Sequence, residues 1–232
     1  MILSATEWVI VGLSLKVSAA AILLTLPFAF AIAWVLARKR FPGKVLLDAL
    51  VHLPLVLPPV VTGWLLLLAF GTNGPAGRFL AETLGLHFMF RWTGAALAAA
   101  IMALPLMVRA MRLSIEAVDR RLENAARTLG AGQWRTFAEI TLPLAFPGIL
   151  AGMVLGFARS IGEFGATITF VSNIPGETRT LPLAIYASLQ LPGNEGTAAR
   201  LAIASVILSL AALIISEMLA QRSSAGKGSH VL

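Results

Sequence analysis

The sequence predicts an all-α membrane protein, a bundle of about five transmembrane helices with one polar segment between the third and the fourth. Three observations carry this. The chain is 58% hydrophobic and 12% charged, about half the charged fraction of a typical soluble domain. Apolar runs long enough to cross a bilayer recur along it, and the basic residues cluster at the ends of those runs, where topology signals lie. With 232 residues there is room for five or six spans and no separate globular domain, so residues 1–232 read as a single transmembrane domain.

Composition also removes several function classes. The formal charge of +7 invites nucleic acid as a partner, but no basic stripe is interleaved with exposed aromatics, so none is expected. The absence of cysteine excludes disulfides and cysteine metal ligands. No nucleophile–base pair or metal-ligand spacing joins the polar residues, so the chain is read as no enzyme, with no catalytic residue, metal or cofactor. Gly226-Lys227 imitates a phosphate loop, but Gln221 stands where the partner glycine belongs and no strand precedes it. A nucleotide must therefore bind to another chain.

In chain order, residues 1–16, with Glu7, Trp8 and Lys16, form an amphipathic lead-in to the uncharged run Val17–Ala37. That run of 21 residues is about 31 Å long as a helix and makes the first span. Arg38, Lys39, Arg40 and Lys44 follow it and no basic stretch precedes it, so it is expected to stay in the membrane rather than be cleaved as a signal peptide. The second span, 46–70, carries Pro54, Pro58 and Pro59 ahead of Thr62 and Gly63. Three prolines so close together remove backbone donors and push preceding residues out of helical geometry, so this span should be kinked or broken. Two readings stay open for Pro58, Pro59 and Thr62: a packing kink, or a wall of a translocation pathway, since irregular backbone at membrane depth is tolerated where it lines a cavity. His52 and Asp48, four residues apart, read as an interfacial pair.

Residues 71–91 are rich in turn formers, 93–111 form the third span with Arg109 and Arg112 snorkelling at its end, and 146–171 and 201–220 are the fourth and fifth. Leu181–Leu191 is apolar but too short to cross, and six spans would require it to do so. The tail Ser223–Ser229 reads as flexible. Segments 38–45, 109–135 and 221–232 hold 4, 6 and 2 lysines and arginines, whereas the opposite side holds only Lys16, Arg78, Arg91, Arg179 and Arg200. The positive-inside rule then places the N-terminus outside and the C-terminus in the cytoplasm of a multi-pass cell-membrane protein.

The polar segment 116–143 contains one short helix. Leu122, Ala125, Ala126 and Leu129 recur at helical spacing, Arg120, Arg121, Glu123, Asn124 and Arg127 fill the remainder, and Gly130 stops it. A helix this short is barely stable alone and needs a surface to dock on. From residue 124 the spacing resembles the cytoplasmic signature of ABC importer permeases: Glu-Ala-Ala, three residues, Gly, nine residues, Ile, one residue, Leu-Pro. Ala125, Ala126, Gly130, Ile140, Leu142 and Pro143 fall in register. The chain departs from the pattern at Asn124, and its acid, Glu123, sits one residue early, turned by roughly 100°. The resemblance implies a type I importer permease in which this loop is the coupling helix that fits a groove on the ATPase subunit.

Arg159 and Glu163 lie within the fourth span, on one helical face. Charges at that depth are costly and face a bundle interior or a water-filled route. A structural ion pair between helices and a role in the path of an anion both remain open. Around them, Gly162-Glu163-Phe164-Gly165-Ala166 and Gly176-Glu177-Thr178 followed by Thr180-Leu181-Pro182 are similar to the oxyanion branch of these permeases. The run from Thr167 to Arg179, and Pro54 to Gly63, favour the molybdate permeases within it. The likeness covers about Thr6 to Arg222. It implies an importer in which two copies of the permease pair with two ATP-binding subunits and receive molybdate, with tungstate on the same route, from a periplasmic or extracellular binding protein. The alternatives are a sulfate or thiosulfate permease, a secondary transporter, and an intramembrane enzyme built on Arg159, Glu163 and His52; need for a separate ATPase discriminates the last two.

Overall fold

The computed structural model describes residues 3–225, and among these the chain is helical with no strand. Helix α1 runs without a break from Ala5 to Arg38, so the amphipathic lead-in and the first span form one helix. Its start is fixed by a capping box in which the Ser4 and Glu7 side chains each satisfy the other's backbone N–H. Lys16 sits 3.8 Å above the Trp92 ring, and Arg38 lies over Trp34 at the far end. The stretch between these two cation–aromatic pairs is about 33 Å long as helix, close to the hydrocarbon thickness of about 30 Å.

The chain bends by 114° between helices α2 (Lys44–Val56) and α3 (Pro59–Phe70). The break falls at Leu57-Pro58, where Pro59 occupies the first helical position and lacks a donor that the helix could not use there. After the short α4 (Pro75–Leu84), α5 (Trp92–Glu116) forms the axis of the bundle. Its alanines Ala95, Ala96, Ala98, Ala99, Ala100 and Ala103 are buried, which lets the backbones of its neighbours come close. Toward one end they pack with Val17, Ala21, Leu66 and Phe170, and toward the other Met107 and Met111 pack with Ala29, Ala33, Leu36 and Ile149.

Helix α6 (Arg120–Thr128) is followed by α7 (Gln133–Thr136), one π-helical turn (Phe137–Thr141) and α8 (Leu142–Ile161). The last three form one continuous rod. Pro143 therefore does not end a loop: the widened π turn, with Leu142 N–H donating to the Phe137 carbonyl, lets the helix pass through the proline. The expected fourth span, 146–171, is divided, because α8 stops at Ile161 and α9 (Gly165–Val171) starts after a three-residue break. Helix α10 (Leu181–Leu189) is about 14 Å long and is held by Ser14 of α1, whose Oγ accepts from Leu181 N–H at 2.8 Å. Helix α11 (Glu195–Ala225) completes the described chain. The flexible tail expected over Ser223–Ser229 lies outside the described residues from Gly226 onward, as does Gly226-Lys227; Ser223–Ala225 are helical.

Among the described residues, four helical segments are long and apolar enough to cross a membrane, Ala5–Arg38, Trp92–Glu116, Gln133–Ile161 and Glu195–Ile215, and the bent α2–α3 pair adds a fifth when the two are taken as one broken span.

Candidate functional site

The residues that the sequence suggests for coupling and those it suggests for a pathway or a buried ion pair occupy different parts of the bundle. Helix α6 is capped by Asp119, whose carboxylate accepts from Arg121 N–H at 2.8 Å. Its other end is closed by a Schellman motif, in which Ala131 N–H donates to Ala126 C=O and Gly130 N–H to Arg127 C=O. Gly130 has φ of +90° with open space where a Cβ would lie, so its requirement for glycine is conformational and not steric. Leu122, Leu129 and Trp134 stand exposed, Leu129 at 89% and Trp134 at 85%. Ala125 is exposed and Ala126 half-buried beside them. The apolar side of this helix is therefore not covered by its own chain.

The opposite side is anchored through Glu123. Its Oε1 accepts from Arg38 Nη2 at 2.8 Å and from Thr141 Oγ1 at 2.7 Å. The one-residue offset of this acid from the family spacing thus turns it inward, while Asn124, on the next position round, is exposed. Ile140 lies in the π turn, and Leu142 and Pro143 open α8. Arg38 and Thr141 carry no signal of this role in the sequence, since they are distant in the chain from Glu123. Asp119 could have been recognised as an acid just ahead of a helix.

In the second set, Arg159 Nη1 lies 2.6 Å from Glu163 Oε2, with the Glu163 side chain 2% and the Arg159 side chain 25% exposed. The other carboxylate oxygen accepts from Ala166 N–H at 2.8 Å. Glu163 thus does two things at the break: it pairs with the last turn of α8 and caps the first turn of α9. Gly165 then lies against Pro59, where an added Cβ would come 2.8 Å from the proline Cβ, and Gly63 lies against the Ala166 carbonyl. The two breaks, α2–α3 and α8–α9, are therefore brought together. Thr62 is buried next to them with no hydrogen bond to its hydroxyl, whereas Pro58 and Pro59 are exposed.

Further ion pairs tie the elements together. Arg112, near the end of α5, reaches Asp48 at 3.0 Å and Glu116 at 2.9 Å, joining α5 to α2. His52 is 3.3 Å from the same Asp48. Arg200 pairs with the buried Glu7 at 2.8 Å, joining the starts of α11 and α1. Among the described residues, no group of three or more His, Cys, Asp or Glu side chains could hold a metal ion.

The family described as binding-protein-dependent transport system inner membrane component matches residues 7–225. The chain is 61% identical, over 96% of its length and 97% of the relative, to the molybdenum transport system permease protein ModB of Escherichia coli strain K12. It is 40% identical to the sulfate transport system permease protein CysT of the same organism, over 81% of its length and 66% of the relative. Among solved structures, a bacterial ABC transporter that imports alginate aligns with TM-score 0.73 and 18% identity, covering 95% of this chain and 80% of that one. The MetNI methionine transporter, inward facing, aligns with TM-score 0.65 and 13% identity, covering 94% of each chain. At such identities the two structures speak for the fold alone.

Proposed function

The chain belongs to the binding-protein-dependent transport system inner membrane components, and from that premise we propose that it carries molybdate across the cell membrane as the permease of an ATP-driven importer, with tungstate on the same route. The observation that carries the substrate is the gap between relatives: 61% identity to a molybdenum permease over nearly the whole chain, against 40% over a shorter stretch to a sulfate permease.

A separate ATP-binding subunit supplies the energy. The support for this is α6, fastened to its own chain by Glu123 and bare on the side of Leu122 and Leu129. In the proposed assembly two permeases and two ATPases work together, and an outer binding protein delivers the oxyanion. Residues 123–126, 130, 140, 142 and 143 form the docking and turning elements of the coupling loop. Closure of the ATPases moves α6, and the rigid rod α7–α8 transmits the movement to the break at Glu163. Arg159 faces the passing anion there, and Pro58, Pro59 and Thr62 form the neighbouring wall. The single membrane domain 1–232 crosses five times, the N-terminus outside and the C-terminus inside; the positions of Lys16 and Arg38 on α1 support a first crossing over 17–37.

The test is complementation. Cells deleted for their molybdate permease, but keeping its ATPase and binding protein, should recover radioactive molybdate uptake when this chain is expressed. Tungstate should compete and sulfate at equal concentration should not. Recovery of sulfate uptake in a sulfate-permease deletion, with none of molybdate, would move the chain to the sulfate branch.

A further inference from the structure

Between the end of α1 and the coupling loop lies a cavity of about 690 Å³. One part of its wall is aromatic: Phe30 and Trp34 stack at 6.3 Å, and Phe137 meets Trp34 edge-on at 5.0 Å. Another part is cationic, with Arg38 and Lys39 from the end of α1 and Arg120 and Arg127 from α6. Among the described residues, Glu123 is the one carboxylate in the lining, and it is occupied by Arg38 and Thr141. Lys39, Arg120 and Arg127 take part in no ion pair among the described residues. Four cations thus face one engaged anion.

Arg38 supplies an independent sign of a missing partner. Its side chain is 10% exposed, and its Nε is buried with no hydrogen-bond acceptor. A buried charged donor without an acceptor is costly, and an anionic oxygen met by a turn of the guanidinium toward the cavity removes the cost. Guanidinium groups present parallel N–H donors that match a phosphate bidentately.

We infer that this cavity binds the phosphate of an anionic phospholipid from the cytoplasmic leaflet. The aromatic wall decides between a lipid and a free phosphate. Indole and phenyl rings suit the glycerol and first methylenes of a lipid at the interface, whereas a free, strongly hydrated anion gains nothing from them. Basic pockets between helices on the cytoplasmic side are the sites where such headgroups bind. The lipid bridges α1 to α6, so its charge would stiffen the coupling helix. This inference rests on the orientation proposed above.

The experiment uses the assembled complex with its ATPase subunits. After exhaustive detergent washing, lipid retained by the complex is measured by native mass spectrometry from mixed phosphatidylglycerol and phosphatidylcholine. The wild type should retain phosphatidylglycerol selectively. Lys39, Arg120 and Arg127 are exposed, so K39Q/R120Q/R127Q should leave folding intact and reduce retention by roughly fivefold for each cation removed. Lys39→Gln alone, outside the helix that docks the ATPase, should show one such step even where the triple variant loses the ATPase. Equal retention by wild type and both variants overturns the site. Displacement of the lipid by millimolar inorganic phosphate overturns the lipid as occupant. Selective retention in a chain whose coupling loop proves to lie outside overturns the orientation and the leaflet; normal molybdate uptake without lipid selectivity overturns this site and leaves the transport reading standing.

Discussion

Arg38, the last residue of the first helix, donates to Glu123 in the first turn of α6 at 2.8 Å, and the same carboxylate oxygen accepts from Thr141 in the π turn. One acid thus holds α6 to the elements on either side of it. Removing it by Glu123→Ala leaves Arg38 without its charged partner, at a cost of about 1.5–3 kcal/mol. Glu123→Gln keeps an acceptor and should cost less. The expected result is faster trypsin cleavage at Arg120 and Arg121 and lower transport-coupled ATP hydrolysis for the alanine variant, with the glutamine variant between. Wild-type cleavage of Glu123→Ala would remove the anchoring role.

Gly130 gives a second test, of the turn itself. Its φ of +90° with nothing near the missing Cβ means that substitution strains the backbone without a clash. A residue with a Cβ pays about 1–2 kcal/mol in the left-handed region, and asparagine pays least. Co-purification of the ATPase subunit and molybdate uptake should therefore fall in the order Asn, Ala, Val, while membrane insertion stays normal. Full uptake by Gly130→Val would separate this turn from coupling.

What could be read in the sequence was what is encoded within a few residues. The apolar spacing of Leu122 to Leu129, the glycine stop at Gly130 and the proline break at Pro58-Pro59 depend on local backbone chemistry, and the structure carries all three. The break at Gly162 lacks a proline, and it is held by Glu163 capping Ala166 N–H, so hydropathy alone ran 146–171 together. Pro143 misled in the opposite sense, because a π turn absorbs it. Arg38 with Glu123, Asp48 with Arg112 and Glu7 with Arg200 lie 85, 64 and 193 positions apart, and such pairings follow from packing that no local pattern records.

Orientation can be tested without reference to transport. An accessibility tag after Gly132, in the linker ahead of α7, should react only from the cytoplasm, and one after Asn173, in the loop that follows α9, only from outside. The basis is the concentration of lysine and arginine in 38–45 and 109–135. Labelling of the Gly132 tag in intact cells would invert the bundle.

Glu163 and Arg159 offer the sharpest division between structure and transport. The pair is 2.6 Å apart, and Glu163 is buried with its second oxygen on Ala166 N–H. Arg159→Leu leaves a buried carboxylate uncompensated, which in well-buried pairs costs about 3–5 kcal/mol; Arg159 is a quarter exposed, so the loss here should be smaller. Glu163→Leu strands the arginine and also uncaps α9. The double leucine variant relieves the charge but not the cap, so the yield of folded complex should recover only in part. Arg159→Leu combined with Glu163→Gln restores an acceptor for Ala166 N–H without a charge, and should recover most. If Arg159 meets the passing oxyanion, that last variant will assemble well and still import molybdate poorly, because its cation is gone. Detergent-extracted complex yield and molybdate uptake, measured on all four variants, decide both points: equal yields from the two double variants remove the capping role of Glu163, and full uptake by the well-folded Arg159→Leu/Glu163→Gln variant removes Arg159 from the pathway.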